Sequence, residues 1–164
     1  MPRHATRPIL LLVLLTLLAG CSADHRSARD ADPFLLNDGR TLLGNNEIHA
    51  ISYSGHRKVP RSVENTPTLE ETKEDLRILA AVGVHLLRTY NTTIFPHSER
   101  ILQAIHELKQ EDPNFEMHVM LGVWIQCVGA YTEEIDHTVE DAEFNQGEIE
   151  YAMRLGNQYP DIVR

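Results

Sequence analysis

The stretch Thr68 to Tyr90, TLEETKEDLRILAAVGVHLLRTY, joins one amphipathic helix to one apolar strand through a single glycine. Thr68 followed three residues later by Glu71 is a capping box: the threonine hydroxyl can accept from the Glu71 amide while the glutamate reaches back to the Thr68 amide. Leu69, Thr72, Leu76, Leu79 and Ala80 then fall on one helical face, and Gly83 offers a left-handed stop. Residues 84–90 follow as a short apolar strand. This helix-then-strand order is half of a βαβ unit, and the flanking sequence repeats it.

Upstream, residues 48–53 read as a strand. Downstream, residues 98–110 place Ile101, Ala104, Ile105 and Leu108 on one helical stripe, which Asp112-Pro113 ends. Residues 117–125 are the most apolar run of the domain and read as a third strand, and Asn145 with Glu148 three residues on opens a third helix running towards Tyr159-Pro160. Strands apolar on both faces and separated by amphipathic helices imply a parallel sheet covered by helices. The strand ends at Tyr53, Tyr90 and Ile125 lie 37 and 35 residues apart, close to the roughly 30 residues per unit of an eight-unit barrel. The expected fold is therefore α/β: the N-terminal three βα units of a TIM (β/α)8 barrel, truncated, with a fourth strand starting near residue 162. A doubly wound sheet has the same alternation. Its nucleotide-binding form needs a short Gly-rich turn running straight into a helix. Residues 54–67 are long, with one glycine and two prolines, which disfavours nucleotide binding.

The chain opens with Arg3 and Arg7, an apolar run over residues 9–18, and Leu18-Ala19-Gly20-Cys21. Basic, apolar and small-residue segments in that order form an export signal, and the run is shorter than the roughly 20 residues of a membrane-spanning helix. The segment resembles the lipobox of bacterial lipoproteins, which implies lipidation of Cys21 and anchoring in the cell envelope. Expected domains are residues 1–20 as lipoprotein signal peptide, 21–44 as tether, and 45–164 as the barrel segment. Without residues 1–20 the chain holds 13 Lys and Arg against 24 Asp and Glu. A basic nucleic-acid footprint is absent. Cys127 is the only cysteine besides Cys21, so a lipidated Cys21 leaves no intramolecular disulfide.

In a barrel, functional groups stand at the carboxyl ends of the strands and on the loops beyond them. Those positions hold Tyr53, Ser54, His56 and Arg57, then Arg88, Tyr90 and Asn91, then Trp124 and Gln126. Aromatic rings beside hydrogen-bonding groups suit a sugar, which has apolar C–H faces and a rim of hydroxyls. The competing structural role is that Tyr53 and Tyr90 are core tyrosines and Arg88 an ion-pair partner.

The run Ile51-Ser52-Tyr53-Ser54-Gly55-His56-Arg57, then Glu74-Asp75-Leu76, Leu87-Arg88-Thr89-Tyr90 and Met120-Leu121-Gly122-Val123-Trp124 resemble the opening of glycoside hydrolase family 17, the β-1,3-glucanases and related bacterial glucan enzymes. Asn145 through Glu148-Ile149 to Tyr159-Pro160-Asp161-Ile162-Val163 is similar to the family's third helix and its approach to strand four. The resemblance implies a TIM-barrel retaining glycosidase or transglycosylase on β-linked glucans, working through two carboxylates about 5 Å apart. It also implies that the acid/base glutamate, after a Val-Gly-Asn-Glu type motif on strand four, and the nucleophile on a later strand have no counterpart in this chain. The sugar-site positions it carries over are Tyr53, Arg88, Tyr90 and Trp124. His56 departs from the aromatic residue expected there.

The acidic loop with Glu133, Glu134, Asp136, Glu140, Asp141 and Glu143 lacks the alternating ligands and glycine of a calcium loop and reads as a solvated face. His49, His85, His97, His106, His118 and His137 lack the i, i+4 pairing of a helical zinc site. Cys127 has no sequence neighbour that would activate it and reads as a packed free thiol. No metal and no cofactor are expected. The leading expectation is a glycoside hydrolase-like envelope protein acting on β-glucan, this chain lacking the catalytic glutamates and inactive alone. The alternative is a non-catalytic polysaccharide-binding envelope lipoprotein.

Overall fold

Thr68 caps helix α1 (Leu69–Ala81) as its capping box requires: its hydroxyl accepts from the Glu71 amide at 3.2 Å, and Glu71 Oε2 accepts from the Thr68 amide at 2.8 Å. The chain leaves α1 through Gly83 at φ +82° and enters strand β2 (Val84–Arg88). In this computed structural model, which describes Asp32 and residues 34–164, β2 lies between β1 (His49–Ser52) and β3 (His118–Met120), both parallel to it. Helix α2 (His97–Glu111) leads from β2 to β3. Val119 of β3 is bridged in parallel by Val163: its amide donates to Ile162 O and its carbonyl accepts from the Arg164 amide, both at 2.9 Å. Neighbouring strands thus follow chain order. Among the described residues there is no reversal of the kind that makes the binding crevice of a doubly wound sheet. The expected export signal and Cys21 lie outside the described residues.

One face of the sheet is the main core. Leu87 and Val119 pack with Leu76 of α1, the α2 stripe Ile101, Leu102, Ala104, Ile105 and Leu108, and Leu155 of helix α3 (Ala142–Gln158). Burying such side chains is worth about 1.5–3 kcal/mol each. Lys73 is buried where α1 meets α2, and its ammonium contacts Glu107 at 3.1 Å and Glu111 at 2.5 Å.

Three features differ from the sequence reading. The third strand is three residues long, not nine. Beyond Met120, alternate amides take side-chain partners: Gly122 donates to Thr89 Oγ1 at 3.0 Å, Trp124 to Glu148 Oε2 at 3.1 Å and Gln126 to Asn145 Oδ1 at 2.8 Å. Those amides are no longer free for a strand ladder. The acidic loop folds as an antiparallel hairpin of β4 (Cys127–Val128) and β5 (Asp136–Glu140), turned through Gly129 at φ +71° and Tyr131 at φ +68°.

Helix α3 begins at Ala142 under an Asp141 cap, so Asn145 and Glu148 are buried helical residues and not its opening. Residues 34–42 belong to the same compact unit as the sheet. Residues 34–42 close a turn through Leu36 N to Arg40 O and Leu42 N to Phe34 O. That turn buries Leu36 and Leu42 with Ile48 against Leu86, whose strand position faces away from Leu87.

Candidate functional site

β1 and β2 end side by side, with Ser52 opposite Arg88, and the Tyr53 amide donates to Arg88 O at 2.9 Å. An open recess of about 310 Å3 lies at these ends, lined by Tyr53, Ser54, His56, Arg61 and Tyr90 among others. Asp75 of α1 organises its wall. Tyr53 donates its hydroxyl to Asp75 Oδ2 at 2.7 Å, and Arg57 donates to Asp75 Oδ1 at 2.5 Å and Glu74 Oε2 at 2.8 Å. Burial, reinforced by the Asp75 carboxylate, pushes the Tyr53 phenol far above its ordinary pKa and keeps it protonated. Gly55, at φ +71°, leaves room for this hydroxyl: a Cβ there would stand 3.0 Å from Tyr53 Oη.

Tyr53 and Tyr90 are brought together as recess walls, Tyr90 being 37% exposed. Arg88 is exposed, and among the described residues its guanidinium makes neither an ion pair nor a hydrogen bond. It alternates with Leu87 and so shares the sheet face of Leu86, turned from the helices. Trp124 does not line the recess. Its indole stacks on Tyr131 of the hairpin turn, with ring centroids 6.1 Å apart and planes 23° apart. His56 packs edge-on against Phe95, ring centroids 5.3 Å apart, and sits 5.7 Å from His97. Burial, with the nearby His56 and Arg61, pushes the His97 imidazole down to about 4.

Glu148 ties the next two loops together from inside α3. It is fully buried. Its Oε1 accepts from the Thr93 amide at 2.6 Å and from the Thr93 hydroxyl, while Oε2 accepts from the Thr92 amide at 2.8 Å and the Trp124 amide at 3.1 Å. Burial alone would raise its pKa, but the donors on Thr93, Thr92 and Trp124 outweigh it and hold the carboxyl below the ordinary glutamate range. Asn145, one turn earlier, pairs both ways with the Gln126 backbone, at 2.8 and 2.9 Å.

Sequence reasoning took Glu148 for a capping residue. The available signal was its place on the buried stripe of α3, two turns before Leu155. Tyr131 had no local signal, because the hairpin that lifts it to Trp124 is set by pairing. His137, also on the hairpin, brings Nδ1 to 3.6 Å from Cys127 Sγ, a neighbour the sequence separation conceals. Among the described residues no group of three or more His, Cys, Asp or Glu side chains could hold a metal ion. Asp75 and Glu148, the carboxylates these contacts bring to the strand ends, have both oxygens engaged.

No family profile and no curated protein matches the chain. A solved structure does: the chain is similar to an endo-laminarinase from Formosa Hel1_33_131, with 47% sequence identity and a TM-score of 0.69. The match covers 74% of this chain and 30% of that one, so the chain spans under a third of the length of the enzyme it resembles.

Proposed function

We propose that this chain is the glucan-contacting N-terminal part of a glycoside hydrolase of family 17 type, acting on β-linked glucan. The 47% identity with an endo-laminarinase carries this reading, and the recess walled by Tyr53 and Tyr90, with the exposed Arg88 beside it, supports it. Three parallel strands in chain order, with Val163 bridged in parallel beside the third and helices against one face, are the expected beginning of a (β/α)8 barrel. The aromatic rings would stack on sugar C–H faces while Arg88, Ser52 and Ser54 bond hydroxyls.

Cleavage with retention needs a protonated carboxyl and a free carboxylate about 5 Å apart. Asp75 is committed to Tyr53 and Arg57, and Glu148 to backbone amides, so neither is available for that work. The chain alone therefore binds glucan without cutting it. The catalytic pair belongs to parts of such an enzyme that this chain does not match. Cys21 carries lipid and places the protein at the bacterial envelope. A non-catalytic polysaccharide-binding lipoprotein is the second reading, favoured by the same engagement of Asp75 and Glu148.

The test is titration of the 164-residue chain with laminarin, followed through its only tryptophan, Trp124. Saturable quenching that Arg88→Ala and Tyr90→Ala weaken, with no release of reducing sugar, is expected. An unresponsive Trp124 together with no laminarin retention by calorimetry overturns the glucan reading. Expressing the chain in bacteria and finding no lipid on Cys21 by mass spectrometry overturns the anchoring.

A further inference from the structure

We infer that Glu148 is the positioning residue that locks the loop after β2 to the segment after β3, and so sets the Trp124–Tyr131 aromatic pair against the Tyr90 loop as one glucan-contacting surface. The inference rests on the functional reading above and adds to it a residue that need not touch the sugar. Both loops leave the carboxyl ends of strands, and neither has a ladder partner where Glu148 meets it. Its carboxylate takes the amides of Thr92 and Thr93 on one side and the amide of Trp124 on the other. The Thr92 hydroxyl also reaches back to Glu148 Oε2 at 3.1 Å and to its backbone carbonyl at 3.0 Å, tying the loop to the helix.

Donors from chain positions 24 and 56 residues away converge on a single Oε2. A carboxylate suits this place because it accepts at both oxygens and donates at neither. Glutamine has the same shape, but its NH2 would face amide donors, leaving one cluster unpaired in a buried site. Tyr90 lies two residues before Thr92, and Trp124 carries Tyr131 on its ring. Displacement of either loop therefore moves an aromatic surface.

Because Trp124 is the only tryptophan, its emission reports this junction directly. In the 164-residue chain, Glu148→Gln is expected to raise acrylamide quenching of Trp124 and to weaken laminarin binding about tenfold, as for the loss of a hydrogen bond to a charged group. Glu148→Asp, which keeps the acceptor but withdraws it, should fall between parent and Gln. Parent-like quenching and affinity in a Glu148→Gln chain that circular dichroism finds folded would overturn the inference; so would altered emission with unchanged affinity. If Glu148→Gln does not fold, Thr93→Val, which deletes one hydroxyl donor and keeps the amide, must show the same changes on a smaller scale, and parent-like behaviour there overturns it equally. A parent chain that binds no laminarin defeats the functional reading, whereas the Trp124 response to Glu148→Gln still decides whether Glu148 holds Trp124.

Discussion

The helix-facing side of the sheet and the loops at its carboxyl end are held by different forces. On the helix side, Leu87, Val119, Leu76 and Ile105 exclude water together, and no one contact carries the face. At the loops, single atoms matter: Oε2 of Glu148, Oγ1 of Thr89 and Oδ1 of Asn145 each satisfy a backbone amide with no strand partner. Apolar burial is non-directional and tolerates small shifts, whereas a buried amide that loses its acceptor bears the full desolvation cost. The first region should therefore fail in proportion to the volume removed, and the second at particular atoms.

The sharpest break is expected at Gly122. A Cβ there would overlap the Thr89 carbonyl, which is backbone and cannot move aside. Gly122→Val should cost about 5 kcal/mol, enough to unfold a marginally stable domain, and a folded Gly122→Val chain by circular dichroism would contradict the close approach. Leu87→Ala, fully buried on the helix side, should cost about 4 kcal/mol in urea unfolding, leaving the Trp124 environment as in the parent.

His97 tests a buried polar group between the two regions. The unfolded imidazole titrates at 6.5 and the folded one at about 4, so keeping His97 neutral stabilises the fold fully above pH 6.5 and less as pH falls towards and through 4. The loss is up to about 3 kcal/mol. Burial and the nearby Arg164 depress His118 in the same direction, so His97→Gln should flatten the fall in unfolding free energy only in part. A slope identical to the parent's refutes the assignment to His97. The smallest effect belongs to the cap: Thr68→Ala should cost about 1 kcal/mol in the same unfolding assay.

The elements that formed as read, such as the Thr68–Glu71 box, the Gly83 exit and the Ile101 to Leu108 stripe, depend on groups three or four residues apart. The third strand was overread because residues 117–125 are uniformly apolar, a pattern silent about which amides will find a ladder. The burial of Leu36 and Leu42 has no local signal, because they sit in a polar stretch and pack with Leu86, 50 and 44 residues along the chain. For the site, positions at strand ends led to Tyr53 and Tyr90 in the recess and to Arg88 beside it, but Asp75, Glu148 and Tyr131 act through partners brought close by folding.

What is local along the chain was therefore settled in the order of residues: the start and stop of α1, the apolar faces of α1 and α2, and the acidic balance. Those depend on backbone geometry and side-chain type within one turn or one strand. Which carboxylates are spent on structure and which aromatic meets Trp124 were decided by folding alone, because each depends on groups from separate segments of the chain being brought into contact.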